Sequence, residues 1–187
     1  MIDDILHASS QLSLDDATVR LCDRSRAGAH QLASRCLAAA DRDQLKISDS
    51  DVLSVFGIWK FKDNTSRKNI LLPDVSSVWS DTFGLVRDRR GRAIVKRDCV
   101  RFPFVVSLLC RWFRDQFPLQ ASFDFDAVTV NCNTRSAVHR DLHNAGPSVI
   151  RGLGPYSRGL LQYYSDDDAS LEIQQLLTSG SPGNLFD

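Results

Sequence analysis

The sequence lacks the cysteine spacing of a disulfide framework or of a zinc site. Its five cysteines are odd in number, spread from Cys22 to Cys132, and include no CxxC pair. Such a set suits a reducing compartment and gives no zinc signature. We therefore interpret the cysteines as small core residues.

The sequence also has no membrane-spanning or export signal. The most apolar run, residues 102–110, lies between Arg101 and Arg111 and is much shorter than the about 20 residues that cross a bilayer. The first ten residues carry two Asp and no Lys or Arg, unlike the basic start of a signal peptide. We expect an intracellular protein of the cytoplasm or nucleus, with no membrane partner.

Excess charge of either sign is missing as well. The chain of 187 residues has 23 basic and 23 acidic side chains, so its formal charge is zero. A general attraction to polyanions is therefore excluded, and binding to nucleic acid would need a local basic patch. The 43% hydrophobic content with ten Phe and three Trp is enough to build a folded core.

Residues 1–50 are predicted to form a helical segment. Ser13 is placed to cap a helix, and acidic residues follow it in the first turn. Apolar residues then recur close to the helical period at Cys22, Ala29, Ala33, Cys36 and Ala40. Because this face is rich in alanine, we expect the helix to pack on another part of the protein.

Residues 51–187 change to short runs of β-branched and aromatic residues, which predict strands. The runs are VLSVFGIWKFK, NILL, TFGLV, FDAVTVNCN, SVIRGLG, GLLQYY and the start of SPGNLFD. The stretch FGLVRDRRGRAIVKRD predicts a hairpin in which Gly91 adopts a positive φ. Between these runs, FPFVVSLLCRWFRDQFP predicts a helix with an apolar stripe of Val106, Leu109, Trp112 and Phe113.

The hairpin region 87–101 is locally basic. It contains seven Arg or Lys and two Asp. One interpretation is a solvated hairpin with charged flanks; the other is a patch that binds a partner such as nucleic acid.

The triplet His-Arg-Asp at residues 139–141 is the strongest chemical signal. A kinase catalytic loop shares these letters but requires Asn five residues after the Asp, where this chain has Gly146. In an extended segment, by contrast, His139 and Asp141 project to the same side. Imidazole nitrogen and carboxylate oxygen are ligands of divalent metals, as in non-haem iron enzymes. A turn held by local hydrogen bonds is the alternative without chemistry.

The surroundings of the triplet resemble those in a known superfamily. The stretch VNCNTRSAVHRDLHNAGPSVIRGLGPYSRGLL combines a strand ending in Asn, a short loop, His-x-Asp, and a glycine-punctuated pair of strands. It is similar to the iron(II)/2-oxoglutarate-dependent dioxygenases, and most similar to a branch related to nucleic-acid-modifying dioxygenases. The resemblance covers about residues 79–164. It implies an α+β protein in which the helical segment 1–50 precedes a partial double-stranded β-helix, jelly-roll-like and with flanking helices, in residues 51–187.

The resemblance also implies site residues and cofactors. His139 and Asp141 match the first two iron ligands, and Asn131 and Asn133 match a polar pair that helps to hold 2-oxoglutarate. The implied cofactors are thus Fe(II) and 2-oxoglutarate, while the substrate is unknown, with nucleic acid as one candidate. A structural role is implied for the following segment, with Asn144, Gly146 and Ser148.

The distal histidine and arginine of the superfamily have no match here. Only 46 residues follow Asp141, and their sole histidine is His143. Extended chain places His143 about 13 Å from His139, too far for two ligands of one ion. We expect a truncated or inactive dioxygenase domain whose complete relative would hydroxylate a substrate with O2. The alternative is a non-catalytic binding module that uses the Arg-rich hairpin 87–101.

Overall fold

The structure, a computed structural model, describes residues 2–88, 90–118, 124–139, 148–156, 162–164 and 183–184. It divides into two compact units, Met1–Asp63 with Trp79–Cys132, and Asn64–Val78 with Asn133–Asp187. The described residues combine α-helices with antiparallel strands. The predicted α+β class is therefore confirmed, and the finer double-stranded β-helix stays a prediction.

The described residues of the first unit form four α-helices. They are α1 (Ile2–Asp43), α2 (Asp49–Ile58), α3 (Arg97–Arg101) and α4 (Pro103–Gln116). The helical character predicted for residues 1–50 is confirmed, but a helix start at Ser13 is wrong. Residues 2–12 contain neither Pro nor Gly, so nothing interrupts the helix before that point. Although α1 is long, no helix within the described ranges is apolar enough over a sufficient length to cross a membrane.

The buried face of α1 carries the alanines that its periodicity indicated. Ala29, Ala33 and Ala40 are almost fully buried, and α1 packs against both α2 and α4. Small side chains allow this close approach of helices. The sequence pattern therefore identified the face that builds the core.

The segment predicted as a strand from residue 52 is instead α2. Ser48 and Asp51 form a capping box: Ser48 Oγ accepts from the Asp51 amide at 3.2 Å, and the Asp51 carboxylate accepts from the Ser48 amide at 2.8 Å. Val52, Val55 and Trp59 are buried at spacings of three and four residues, which belong to a helix. The capping signal outweighed the β propensity of the valines.

The larger of the two sheets in the described residues has β2 (Val78–Arg87) as its long central strand. Its partners are β1 (Asp63–Asn64), β3 (Ala93–Val95) and β4 (Ala127–Asn131), and the pairings with β3 and β4 are antiparallel. The strands predicted in TFGLV and FDAVTVNCN are thus confirmed. The run NILL is not a strand, because a 3-10 turn (Lys68–Ile70) covers its first two residues and the last two have no regular structure.

The predicted hairpin joins β2 to β3. Leu85 pairs with Val95 and Arg87 with Ala93. Gly91 in the turn has φ 77°, a left-handed conformation that glycine adopts without steric cost. Both parts of the hairpin prediction are confirmed.

Helix α4 begins with Pro103 in its first turn, as predicted. Its buried residues are Val105, Leu108, Leu109 and Trp112, so the predicted stripe is correct at Leu109 and Trp112 and shifted at its other two positions. The shift follows from packing, because α4 contacts α1, α2 and α3 rather than a sheet alone. The Trp112 indole N–H donates to Asp49 Oδ1 at 2.9 Å and ties α4 to α2.

The second unit contains a two-stranded pairing of β5 (Gln162–Tyr163) with β6 (Gly183–Asn184). These strands lie within two of the predicted runs. The strand predicted in SVIRGLG is wrong, because residues 148–153 have no regular structure. Glycine weakens a strand interior, and Gly154, with φ 86°, bends the chain at its end.

Candidate functional site

Strand β4 leads the chain toward the predicted metal ligand. It pairs with β2 from Ala127 opposite Gly84 to Asn131 opposite Ser80. Gly84 has φ 113°, and a Cβ there would clash with the backbone oxygen of Asp126. Glycine is therefore required at the point where the two strands come together.

The two predicted 2-oxoglutarate residues lie at and just after the end of β4. Asn131 is the last residue of the strand, and its side chain is exposed. Asn133 is also exposed and has φ 47°, a left-handed conformation that asparagine tolerates better than most residues. Asn133 thus has a local role in ending the strand. The cofactor role of this pair stays a prediction.

A hydrogen bond to the backbone determines the orientation of the His139 ring. The ring is half-buried, and Nδ1 lies 2.8 Å from the carbonyl oxygen of Ala137. A carbonyl oxygen can only accept, so Nδ1 carries the hydrogen in this contact. In the neutral ring the lone pair is then on Nε2, the tautomer in which a histidine can bind a metal through Nε2.

In the loop before His139, the backbone amide and the backbone carbonyl of Ala137 both form hydrogen bonds. Its amide donates to Ile70 O at 2.9 Å, while its carbonyl accepts from the His139 ring. Ile70 is 1% exposed, which makes it a firm anchor for the loop. One residue therefore links a buried position in the 3-10 turn to the imidazole.

The second predicted ligand, Asp141, lies outside the described residues, as do Asn144 and Gly146. Ser148 is described and exposed. Within the ranges that the structure describes, no three His, Cys, Asp or Glu side chains gather as metal ligands. The assignment of His139 and Asp141 as a metal pair stays a prediction.

The turn of the basic hairpin is closed by Asp88. Its carboxylate accepts from the amides of Arg90 and Arg92 and forms an ion pair of 2.7 Å with Arg92 Nη2. Hydrogen bonds from the Arg92 backbone and side chain lower the pKa of Asp88 below its ordinary value. Asp88 is thus engaged within the turn and neutralises one arginine.

The other carboxylate of the hairpin region, Asp98, is directed to the core. Its Oδ2 lies 2.6 Å from Arg26 Nη1 and 3.5 Å from Lys62 Nζ. Three cations of the region, Arg90, Lys96 and Arg97, are exposed, and the structure gives them no ion pair with any described carboxylate. The hairpin therefore presents uncompensated positive charge to solvent.

Sequence reasoning missed a densely connected polar cluster, which surrounds Arg26. This side chain is fully buried, with Nη2 lying 2.6 Å from Asp81 Oδ2 and Nη1 2.6 Å from Asp98 Oδ2. Its Nε donates to Lys60 O at 2.9 Å, and its guanidinium carbon lies 4.4 Å from the Trp59 ring centroid. The cluster connects α1 to β2, to α3 and to the segment after α2.

A signal for this cluster exists in the sequence. Arg26 lies three residues before Ala29 and seven before Ala33, so it belongs to the apolar face of α1. A charged residue on a buried face requires a charged partner. The partners, Asp81 and Asp98, are distant in the chain, so the sequence indicated the need for an ion pair but not its members.

A small apolar cavity of about 110 Å³ lies between α4 and the strands β2 and β4. Cys110 lines it, and burial raises the pKa of this thiol above its ordinary value. Nearby, Cys99 Sγ accepts the Gly84 amide at 2.9 Å. All five cysteines are reduced and half-buried, and these two contribute to packing and hydrogen bonding.

Comparison with models of protein families, with curated proteins and with solved structures found no match to this chain.

Proposed function

We propose that this chain is a dioxygenase-type domain in which His139 and Asp141 bind Fe(II). The complete form of such a domain couples 2-oxoglutarate and O2 to the hydroxylation of a substrate. The proposal combines the His-x-Asp motif and its neighbouring sequence with the position of His139.

The contact of His139 Nδ1 with Ala137 O, 2.8 Å long, is the observation that carries the proposal. A metal-binding histidine commonly donates its other ring N–H to a backbone carbonyl, which fixes both the tautomer and the ring orientation. A turn held by local hydrogen bonds would show the same contact, because Ala137 lies only two residues before His139, so the neighbouring His-x-Asp motif is what favours the metal interpretation. The further bond from the Ala137 amide to Ile70 O supports a preorganised ligand.

The donor set fits ferrous iron. Neutral imidazole nitrogen and carboxylate oxygen together suit a divalent first-row metal. Bound iron would supply activation of O2 at its open coordination positions. In this chain, Ala137 orients the imidazole and Asp141 would supply the anionic ligand. A role of Asn131 and Asn133 toward 2-oxoglutarate is what the resemblance implies.

Calorimetric titration of the purified chain with Mn(II), a redox-stable substitute for Fe(II), tests the proposal. We expect one ion per chain in the wild type and at least about tenfold weaker binding in His139→Ala and in Asp141→Ala, because loss of one ligand removes a major part of the affinity. His143→Ala is the matched control and should bind like the wild type. Equal binding by all four proteins would contradict the proposal.

A second candidate function is a binding module that uses the basic hairpin, residues 87–101. The observation that favours it is the exposure of Arg90, Lys96 and Arg97 without an ion pair to any described carboxylate. Because exposed charges retain most of their field at low salt, such a group attracts an anionic partner. This function does not require the metal pair.

Binding of a fluorescent single-stranded oligonucleotide, used as a polyanion probe, tests the second candidate. We expect the variant Arg90→Gln/Lys96→Gln/Arg97→Gln to bind at least about tenfold more weakly at low salt. Substitution of three exposed cations on α1, in Arg24→Gln/Arg35→Gln/Arg42→Gln, removes the same charge elsewhere. Equal loss in both variants would show net charge alone to be responsible and would contradict a specific hairpin site.

A further inference from the structure

The strand β3 has an edge whose backbone groups point away from the sheet. The Lys96 amide donates to Gly84 O at 3.0 Å, and the Asp88 amide donates to Arg92 O at 2.9 Å. Backbone groups alternate in direction along an antiparallel strand. Residues 92, 94 and 96 therefore face β2, and the N–H and C=O groups of Ala93 and Val95 face outward.

This outer edge is accessible. Ala93, Ile94 and Val95 are all exposed, with Ile94 at 42% and Val95 at 56%. The order of the strands places β3 at one end of its path. The structure gives the outward groups of Ala93 and Val95 no hydrogen bond to any residue that it describes, which is the arrangement that receives an additional strand.

The side chains beside the edge are apolar. Val95 lies directly opposite Leu85 in the hairpin, and Leu85 is 44% exposed. Cross-strand pairs of this kind lie on one face of the sheet. An added strand with an apolar residue beside Val95 would extend that face and cover part of it.

Positive charge surrounds the edge on both sides. Arg90 precedes β3, while Lys96 and Arg97 follow it, and all three are exposed. A partner strand therefore has a basic group near each of its ends. Acidic residues on both sides of a short apolar centre would match this distribution.

Pairing of β3 with a second copy of itself is disfavoured by the same charges. Antiparallel pairing about Ile94 would bring Arg90, Lys96 and Arg97 of one copy close to the same three cations of the other. Like charges that lie close together across a pair of strands destabilise the pair. The edge of β3 is thus protected against pairing with a second copy of β3, and it can still pair with a strand that carries acidic residues.

We propose that β3 binds an extended acidic segment of a partner protein by strand addition. This inference rests on the second candidate function, the hairpin as a binding module, and specifies its partner. Outward groups of Ala93 and Val95 form the backbone hydrogen bonds, and Arg90, Lys96 and Arg97 bind the acidic flanks.

The probe is a fluorescein-labelled nine-residue peptide of alternating Val and Thr with Asp and Glu at both ends. A control peptide has the same charges but carries proline at two central positions, which removes backbone donors. Fluorescence anisotropy with the full chain at low salt measures both. We expect the control peptide to bind at least about tenfold more weakly, because it loses several backbone hydrogen bonds.

Two variants of the protein test the edge directly. Val95→Pro removes one outward N–H at an edge position that tolerates proline, and we expect about five- to tenfold weaker binding of the alternating peptide. Val95→Thr retains the N–H and the strand propensity, and should bind within about threefold of the wild type. Circular dichroism of each variant establishes that the fold is retained.

The outcomes separate this inference from the function on which it rests. If the oligonucleotide and both peptides lose binding equally on neutralising Arg90, Lys96 and Arg97, while proline has no effect, the hairpin is an electrostatic surface and strand addition is wrong. If neutralisation changes nothing for either probe, the binding module itself is wrong. Selective sensitivity of the alternating peptide to proline in either partner supports strand addition.

Discussion

Arg26 Nη2 lies 2.6 Å from Asp81 Oδ2, with the arginine side chain fully buried and the aspartate 12% exposed. The same carboxylate oxygen accepts from the Trp59 indole N–H at 2.9 Å. A charge in such a position is tolerated only when it is paired and hydrogen-bonded. The contact therefore determines how α1 is attached to the central strand.

Removing Arg26 should destabilise the protein strongly. In Arg26→Ala, Asp81 and Asp98 lose their shared cation and remain partly buried, a change that typically costs about 3–5 kcal/mol. Urea unfolding followed by tryptophan fluorescence measures the change. Arg24→Ala, an exposed neighbour on the same helix, should alter the free energy of unfolding by less than about 0.5 kcal/mol. Similar values for both variants would mean that the buried cluster contributes no stability.

Gly84→Ala should disrupt the pairing of β2 with β4. An alanine at φ 113° is strained, and its Cβ would clash with the backbone oxygen of Asp126. Backbone strain alone costs about 1–3 kcal/mol, and the clash adds to it. Thermal unfolding monitored by circular dichroism checks the prediction.

Gly57→Ala is a control that should change the stability of the protein in the opposite direction to Gly84→Ala. Gly57 lies within α2 and has no atom within 4 Å of an added Cβ. Alanine is favoured over glycine in a helix by about 0.5–1 kcal/mol, so this variant should be more stable than the wild type. If Gly84→Ala were more stable than the wild type, as is expected for Gly57→Ala, the close approach of β4 to β2 would not require glycine.

The core-facing side of α1 and the β2–β3 hairpin were predictable because each depends on a local pattern. Alanine periodicity determined the buried face of α1, and Gly91 marked the turn. Helix α2 was mispredicted because Val52 and Val55 have high strand propensity, whereas its capping box decided the outcome. Local propensity is weaker than a cap combined with burial.

For the site, the sequence indicated the residue type but not its environment. His139 was singled out by its spacing from Asp141, yet the bond to Ala137 O depends on the conformation of the loop. The Arg26 cluster joins residues 55 and 72 positions apart, and no local pattern specifies such distant partners. Contacts of this range become visible only when the chain is folded.

The cysteine beside the small cavity should be unreactive in the folded protein. Burial raises the pKa of the Cys110 thiol, so less thiolate is available near pH 8.5 than in an unfolded chain. Mass spectrometry after iodoacetamide treatment should show slower alkylation of Cys110 in the native protein than in urea. Equal rates would contradict its burial.

The raised pKa of Cys110 also predicts how the stability of the protein changes with pH. A thiol whose folded pKa is raised contributes stability below the unfolded pKa, about 8.5, and loses it as pH rises through the folded value. The free energy of unfolding should therefore fall as the pH rises above about 8.5, and Cys110→Ala should reduce the slope. An unchanged slope would mean that the thiol has no part in it.

The most direct test of the account is which residues a bound ion approaches. Nuclear magnetic resonance spectra recorded with substoichiometric Mn(II) report this, because the paramagnetic ion broadens only nearby signals. We predict broadening of the signals of the His139 ring and of the Ala137 amide. Broadening that is confined to other carboxylates, with His139 unchanged, would contradict the proposed metal site.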